Sequence, residues 1–258
     1  MKIASWNINS LRKRLDRLVA WLGDFAPDIV CLQETKCTDE QFPVAAIRAS
    51  GYHVVFHGQK SYNGVAILAK DELRDERAGL CDEADDPQAR VIAATVGDVR
   101  VYSIYAPNGQ AVGAPAYTYK MDWYERLVRW LRENEPALDR VAVCGDFNVA
   151  PDDDDVHDPA LWADSIMCSD GERAAFRGLC EVGLADSLRL VHPEPGLYSW
   201  WDYRMLAFPK NRGLRIDAIL AGRDLAAQIA GAGIDREMRK GKEPSDHAPV
   251  WAEFTLPG

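Results

Sequence analysis

Residues 140–153 read RVAVCGDFNVAPDD. Val141, Ala142, Val143 and Cys144 make a short apolar run of the kind that forms a buried strand. The run leads directly to Asp146 and Asn148, on either side of Phe147. In an extended chain, residues two apart share a face. A strand leaving the core therefore presents a carboxylate and a carboxamide side by side. An Asp or Asn after a strand ordinarily makes a turn or caps a helix. Here the same arrangement recurs at several strand ends.

Working outward, strand-like and helix-like segments alternate. Ile3 to Ile8 reads as a strand. Leu11, Leu15, Leu18, Val19, Leu22 and Phe25 recur at helical spacing, and Pro27 ends that helix. Asp28 to Leu32 is a second strand, and residues 39–50 read as a helix. YHVVFHG and GVAILAK are two strands joined by the turn-rich QKSYN. RVIAATV and VRVYSIYAP pair by turning at Gly97 and Asp98. Tyr119 to Glu135 is a long amphipathic helix, and residues 172–182 a second one stopped by Gly183. Short strands are expected near Tyr198–Trp200, Arg215–Leu220 and Pro249–Phe254, with a helix from Asp224. Tight turns between neighbouring strands imply antiparallel pairing. About ten strands with so few helices cannot be one sheet covered on both faces; two packed sheets with helices outside fit better.

The chain has 258 residues, is 47% hydrophobic and 27% charged, and carries a net charge of −10. It is long enough to bury a large core without staples. No apolar run approaches a membrane span, and the N-terminus lacks the continuous apolar stretch of a signal peptide. Six cysteines, at 31, 37, 81, 144, 168 and 180, are scattered without a C-x-x-C pair. Buried thiols in a reducing cytoplasm are the expectation, not disulfides or zinc. The acidic balance argues against a protein that coats nucleic acid, although a local basic face could still bind phosphate. The run PDDDDVHDP (151–159) reads as a solvated loop.

Polar groups stand beside apolar segments throughout: Asn7 and Asn9 after the first strand, Glu34 after the second, Tyr105, then Asp146 and Asn148, then Asp246 and His247 before the last strand. Asp217 lies inside the apolar LRIDAIL, where an unpaired carboxylate would cost several kcal/mol. It needs a partner. Of the five histidines, His247 already sits next to a carboxylate and is the best candidate for a dyad with Asp217. Carboxylate and amide oxygens without a Cys/His cluster favour a hard cation, Mg²⁺ first. That set points to metal-assisted phosphodiester hydrolysis.

SWNINSLR, LQETK, YNGVAIL, YAPNG, GDFNVAP, SWWDYR, NRGLRIDAIL and PSDHAPV occur in this order from residue 5 to residue 250. Together they resemble the exonuclease III family of AP endonucleases, within the endonuclease/exonuclease/phosphatase superfamily. The resemblance implies a single catalytic domain over residues 1–258. Its fold would be a four-layer α/β/β/α sandwich of two packed mixed β-sheets flanked by helices, like that of DNase I. The implied activity is a cytoplasmic, monomeric DNA repair enzyme dependent on Mg²⁺ or Mn²⁺. It would cut double-stranded DNA 5′ to abasic sites and trim 3′ ends, without a membrane partner.

By the same resemblance, Glu34 is the principal metal ligand, with Asn7 and Asp246 close by, and Asp146, Asn148 and His247 also belong to the metal set. Asp146 orients or deprotonates the attacking water, and Asn148 holds that water or the phosphate. His247, oriented by Asp217, binds a phosphate oxygen, and Tyr105 donates to the phosphate or the leaving oxygen. Asp146 and the His247–Asp217 pair both remain candidates for the general base. Arg12, Lys36, Tyr62, Asn63, Arg90, Asn108, Trp200 and Leu206 match positions that contact DNA, with Lys210 and Arg212 adding positive charge nearby. Trp200 and Trp201 point to opposite faces, so one can be core while the other meets the substrate. Asn9 stands where some relatives carry Asp. YAPNGQAVGAP lacks the long side chains some relatives insert into DNA. The loop between Pro151 and Arg173 is short and acidic, and by the resemblance its Met167 and Cys168 would sit near the DNA end or the flank of the lesion. Two other readings are open: a superfamily phosphatase acting on phosphoinositides or phospholipids, and a catalytically silent DNA-binding module.

Overall fold

The structure is a computed structural model that describes residues 1–80, 82, 84, 86–135 and 138–256; Cys81 lies outside the described residues. Among these, twelve strands form two sheets of six. The first contains β1 (Lys2–Asn7), β2 (Ile29–Gln33), β3 (His53–His57), β4 (Val65–Ala69), β11 (Ile229–Ile234) and β12 (Val250–Phe254), in the order β11-β12-β1-β2-β4-β3. The second contains β5 (Leu73–Ala78), β6 (Val91–Val96), β7 (Val99–Tyr105), β8 (Val141–Asp146), β9 (Ala185–Asp186) and β10 (Asp217–Ala221), in the order β5-β6-β7-β8-β10-β9. Each sheet is antiparallel except for one central parallel pair, β1 with β2 and β7 with β8.

Three apolar clusters define four layers. Ile3, Cys31, Ile67, Val101, Cys144 and Ile219 meet between the sheets. On one outer face α1 (Leu15–Phe25) and α2 (Val44–Ala49) bury Leu18, Trp21 and Ile47 against the first sheet. On the other, α3 (Pro115–Asn134) and α5 (Asp170–Glu181) bury Trp123, Leu127 and Phe176 against the second. Central strands with helices on one face and a sheet on the other must be apolar throughout; β2, β4, β8 and β10 are buried at every residue. Polar groups in the seam are paired: Gln33 Nε2 donates to Ser5 Oγ and Ser103 Oγ, both at 3.1 Å. Gly145 allows β7 and β8 to close, since a Cβ there would lie 2.0 Å from the Ile104 carbonyl oxygen.

The layers match the sequence expectation, while several elements differ from it. The helix expected over 39–50 is a 3₁₀ turn at Asp39–Gln41 followed by α2, because Pro43 cannot continue a helix through its own nitrogen. The first helix starts at Leu15; Leu11 is buried in the preceding turn. The strand expected at Tyr198–Trp200 is reduced to isolated bridges of Trp200 with Leu214 and His247. The helix from Asp224 is one turn, α7 (Arg223–Ala226), and the chain re-enters the first sheet as β11, whose small residues in IAGAGI carry no clear period. The short α4 (Pro159–Trp162) and α6 (Ser187–Val191), and the strands β5 and β9, have no counterpart in the expectation. β5 is a charged edge strand, the composition that blocks edge-to-edge association.

The acidic run also departs from a purely solvated loop. Asp155 is fully buried and accepts from Arg215 Nε at 2.6 Å and Nη2 at 2.9 Å. Arg189 joins Asp155 from α6, and Asp186 takes Arg215 Nη1 at 2.6 Å. Two arginines convert part of an acidic loop into a structural pin.

Candidate active site

The parallel pairs decide where the polar residues go. Asn7 and Gln33 are register partners at the ends of β1 and β2, so Glu34 leaves the first sheet beside Asn7. Tyr105 and Asp146 are partners at the ends of β7 and β8, and Asp217 pairs with Asp146 from the antiparallel β10. His247 precedes β12, the neighbour of β1. Both sheets thus present these ends at one edge of the sandwich. The backbone there is forced: Asn9, Glu34, Lys36, Asn63 and Asn148 have φ between 45° and 53°. Left-handed non-glycine residues persist only where their surroundings over-determine them, and they cluster at functional sites.

Asn7 joins the two sheets. Its Nδ2 donates to Glu34 Oε1 and to Asp146 Oδ2, both at 2.9 Å. His247 Nδ1 lies 2.8 Å from Asp217 Oδ2, and its Nε2 faces Asp146 Oδ2 at 3.8 Å. Ser199 Oγ donates to the same Asp217 oxygen at 2.6 Å and accepts the backbone N–H groups of Ile216 and Asp217. Asp146 Oδ1 accepts the N–H of Asn148 at 2.8 Å. Asn148 Nδ2 donates to the Ala106 carbonyl oxygen at 2.9 Å, and Asn108 Nδ2 to Asn148 Oδ1 at 3.2 Å.

Burial and charge then set the protonation states. Burial pushes Asp146 up to about 7; the nearby Asp217 pushes the same way, while His247, Asn7 and the Asn148 N–H pull it down. Burial opposes a charged imidazole at His247, but Asp217 and Asp146 outweigh it and raise its pKa to about 10. Tyr105 is held well above the ordinary phenol range by burial and by Glu34 and Asp146, so it remains a donor. Burial also works against ionisation of Asp246, yet His247, Asn9 and Trp200 keep its pKa below the usual carboxylate value.

Glu34, Asp146 and His247 each offer a ligand atom within 4.8 Å of the others. The Lys36 ammonium lies 2.7 Å from Glu34 Oε2 and 2.6 Å from Asn9 Oδ1, so these oxygens already converge on one positive charge. An oxygen-rich set of this kind fits a hard divalent cation. A protonated His247 has no free lone pair for a metal and suits an anion better. Asp246 stands outside the cluster, with Oδ1 on Asn9 Nδ2 at 2.9 Å and Oδ2 on Trp200 Nε1 at 3.1 Å.

The rim holds the remaining predicted residues. Arg90 stacks on the Tyr105 ring at 4.9 Å and donates to the Tyr105 carbonyl oxygen. Asn63 is buried and donates to Gln59 and Gln88, so its amide braces the loop. Arg12, Tyr62 and Leu206 stand exposed, Tyr62 at 71% and Leu206 at 65%. Trp201 is fully buried against Phe208, while Trp200 is partly exposed. Beside Trp200 opens a hollow of about 350 Å³ lined by Leu161, Trp162, Met205, Ala207 and Arg212. Met167 and Cys168 are buried against Leu214 and Ile216.

Sequence reasoning missed Ser199, which holds Asp217, and the fully buried Lys120, whose Nζ donates to the Asn148 carbonyl oxygen at 2.7 Å. The first sits inside SWWDYR, where the tryptophans drew the attention. Lys120 lies in the amphipathic helix and has no local signal beyond being a cation on the apolar face.

A family model described as the endonuclease/exonuclease/phosphatase family matches residues 4–247. The chain belongs to this family. It is 38% identical to the exodeoxyribonuclease III of Haemophilus influenzae over 266 aligned positions, which cover 98% of this chain and 100% of that protein. It superposes with a TM-score of 0.97, at 46% identity, on a 3′ phosphatase from Neisseria bound to a product DNA hairpin, covering 99% of this chain and 100% of that one. An AP endonuclease from Archaeoglobus fulgidus gives a TM-score of 0.96 at 38% identity, with 99% and 100% coverage. Within the family the chain belongs to the exonuclease III group, with the DNase I-like fold, and it is a hydrolytic DNA nuclease of DNA repair.

Proposed function

We propose that residues 1–258 form one catalytic domain that hydrolyses phosphodiesters in double-stranded DNA. It cuts 5′ to abasic sites and removes nucleotides or phosphate groups from 3′ ends, with Mg²⁺ as the cation and Mn²⁺ as a substitute. One observation carries the reading: Glu34 from one sheet and Asp146 from the other approach the same point, with the His247 imidazole beside them. The activities named for relatives at 38–46% identity support it.

In this reading Glu34 is the principal ligand of the cation, with Asn7, Asp246 and the Asp146 and Asn148 oxygens close to it. When bound, the cation neutralises the phosphate and eases departure of the leaving oxygen. Asp146, with a pKa near neutrality, accepts the proton of the water that attacks phosphorus. Attack forms the new P–O bond and breaks the bond to the 3′ oxygen, leaving a 3′-hydroxyl and a 5′-phosphate. The His247 imidazolium, held by Asp217, donates Nε2–H to a non-bridging oxygen as charge develops there. With its pKa raised to about 10 it already carries its proton and has no lone pair to accept another, which favours Asp146 as the base. Tyr105 donates to the phosphate or to the leaving oxygen, and Asn148 holds the water or the phosphate. Arg12, Lys36, Tyr62, Asn63, Arg90, Asn108, Trp200 and Leu206 line the DNA path. Free, buried Cys31, Cys37, Cys144 and Cys168 suit a reducing cytoplasm, where we propose the enzyme works as a monomer. No helix among the described residues is long and apolar enough to cross a membrane.

The test is product analysis on duplexes carrying an internal abasic site, a recessed 3′ end or a 3′-phosphate, with and without EDTA. Cleavage that needs the cation and yields 3′-hydroxyl ends is expected. Turnover of a soluble phosphoinositide with no action on any duplex would refute the reading.

A further inference from the structure

A buried ammonium behind the site takes no part in this chemistry. Lys120 in α3 and Glu172 in α5 are both fully buried, and they pair at 2.5 Å. Lys120 Nζ also donates to the carbonyl oxygens of Asn148 at 2.7 Å and Asn108 at 3.2 Å. Burial works against the ammonium and Glu172 works for it. The carboxylate is fully partnered: Oε1 also accepts Met167 N–H at 3.0 Å, and Oε2 accepts the N–H and hydroxyl of Ser169 at 3.1 and 2.7 Å. One ion pair therefore ties α3 and α5 to the loops that leave β7 and β8.

A buried ion pair is often no more stabilising than apolar side chains of the same volume. What this one provides is control of Asn148, whose φ is 50°. Each polar group of Asn148 has one protein partner: its N–H on Asp146, its Oδ1 under Asn108, its Nδ2 on Ala106 and its carbonyl oxygen under Lys120. An amide nitrogen has two hydrogens, so one remains for a substrate. Lys120 holds the backbone of both asparagines at once.

We propose that Lys120 is a positioning residue: it orients Asn148 and Asn108 toward the scissile phosphate and, through the Asn148 N–H, orients Asp146. The proposal rests on the reading of Asn148 given above. It is tested with Lys120→Met/Glu172→Gln, which removes both charges and keeps the volume, so that no ion is left buried without a partner. Thermal midpoint, kcat and KM are measured on a 3′-phosphate duplex at saturating Mg²⁺. The midpoint should stay near that of the wild type and KM should change little, while kcat falls roughly 100-fold, the scale of a 1 Å misplacement. Glu172→Gln alone leaves the ammonium on both carbonyl oxygens and should keep kcat within about threefold of wild type, since it is stability that such a substitution lowers. Lys120→Arg keeps the charge and the pairing but replaces a point donor by a planar fork; it should fold and lose kcat about tenfold.

A purely structural role predicts that kcat follows the folded fraction in every variant. A folded double variant with wild-type kcat overturns the proposal. So does a folded Lys120→Arg with wild-type kcat, which decides the matter if the double variant is not recovered folded. A folded Glu172→Gln as slow as the double variant overturns it too. The wild-type enzyme in the same assay tests the functional reading separately: if it leaves the duplex intact, that reading fails before any variant is compared.

Discussion

His247 Nδ1 sits 2.8 Å from Asp217 Oδ2, with both side chains almost wholly inaccessible to solvent. The other ring nitrogen faces Asp146, so one imidazole lies between two buried carboxylates. The two titrations are pushed apart, Asp146 to about 7 and His247 to about 10. Groups driven apart in this way mark an acid–base assignment.

Activity should therefore rise as Asp146 ionises through about pH 7 and fall as His247 loses its proton through about pH 10. A divalent cation beside Asp146 moves the acid limb to lower pH. Asp217→Asn removes the largest influence raising His247 and should shift the alkaline limb down by roughly one unit or more. A kcat/KM profile whose alkaline limb is identical in both proteins would contradict this.

Stability should fall as pH rises through both windows. Asp146 binds its proton more tightly folded than unfolded, so its contribution is lost as pH rises from 3.8 to about 7. His247 does the same between 6.5 and about 10: the contribution is complete below 6.5 and gone above the folded pKa. In EDTA, urea unfolding at the two ends of the latter window should show a loss in the wild type that is smaller in His247→Asn.

Asp146→Asn keeps the shape of the site and removes the proton acceptor proposed for it. Binding to an abasic duplex should survive while cleavage falls by about 100-fold or more. Electrophoretic retardation and single-turnover cleavage separate the two effects, and unchanged cleavage would transfer the role of base elsewhere.

Glu34→Gln removes an anionic oxygen from the cluster while Asn7 and Lys36 remain beside it. Ligand charge tunes affinity for hard cations, so the Mg²⁺ midpoint should rise by about tenfold or more. Calorimetric titration of Mg²⁺ into the DNA-free protein reads this without reference to turnover.

Asp155→Ala leaves Arg215 buried without its main partner. Breaking a buried pair from one side costs about 3–5 kcal/mol. The urea midpoint should fall with little change in slope; a variant as stable as wild type would show that Asp186 alone holds Arg215.

The layered fold was legible because runs such as VAVCG and GVAIL must be buried on both faces and the turns between strands are short. The convergent site was legible because a carboxylate inside the apolar LRIDAIL requires a partner and His247 was the natural one. β5 and β11 escaped because an edge strand needs neither apolar alternation nor bulk: LRDERA is mostly charged and IAGAGI mostly small. Asp155 escaped because a like-charge run implies solvent unless cations far away in sequence, here Arg189 and Arg215, meet it.

By itself the sequence determined which residues could do this chemistry and which segments had to be core, since hydrophobic periodicity and the cost of burying an unpaired charge act locally. Only the tertiary structure decided that Asn7, Glu34, Asp146, Asp217 and His247 meet at one edge, and that burial and neighbouring charge raise the pKa of Asp146 and of His247. Those depend on strand register, on the close approach of β7 and β8 at Gly145 and on the exclusion of water, which arise when segments more than two hundred residues apart are packed together.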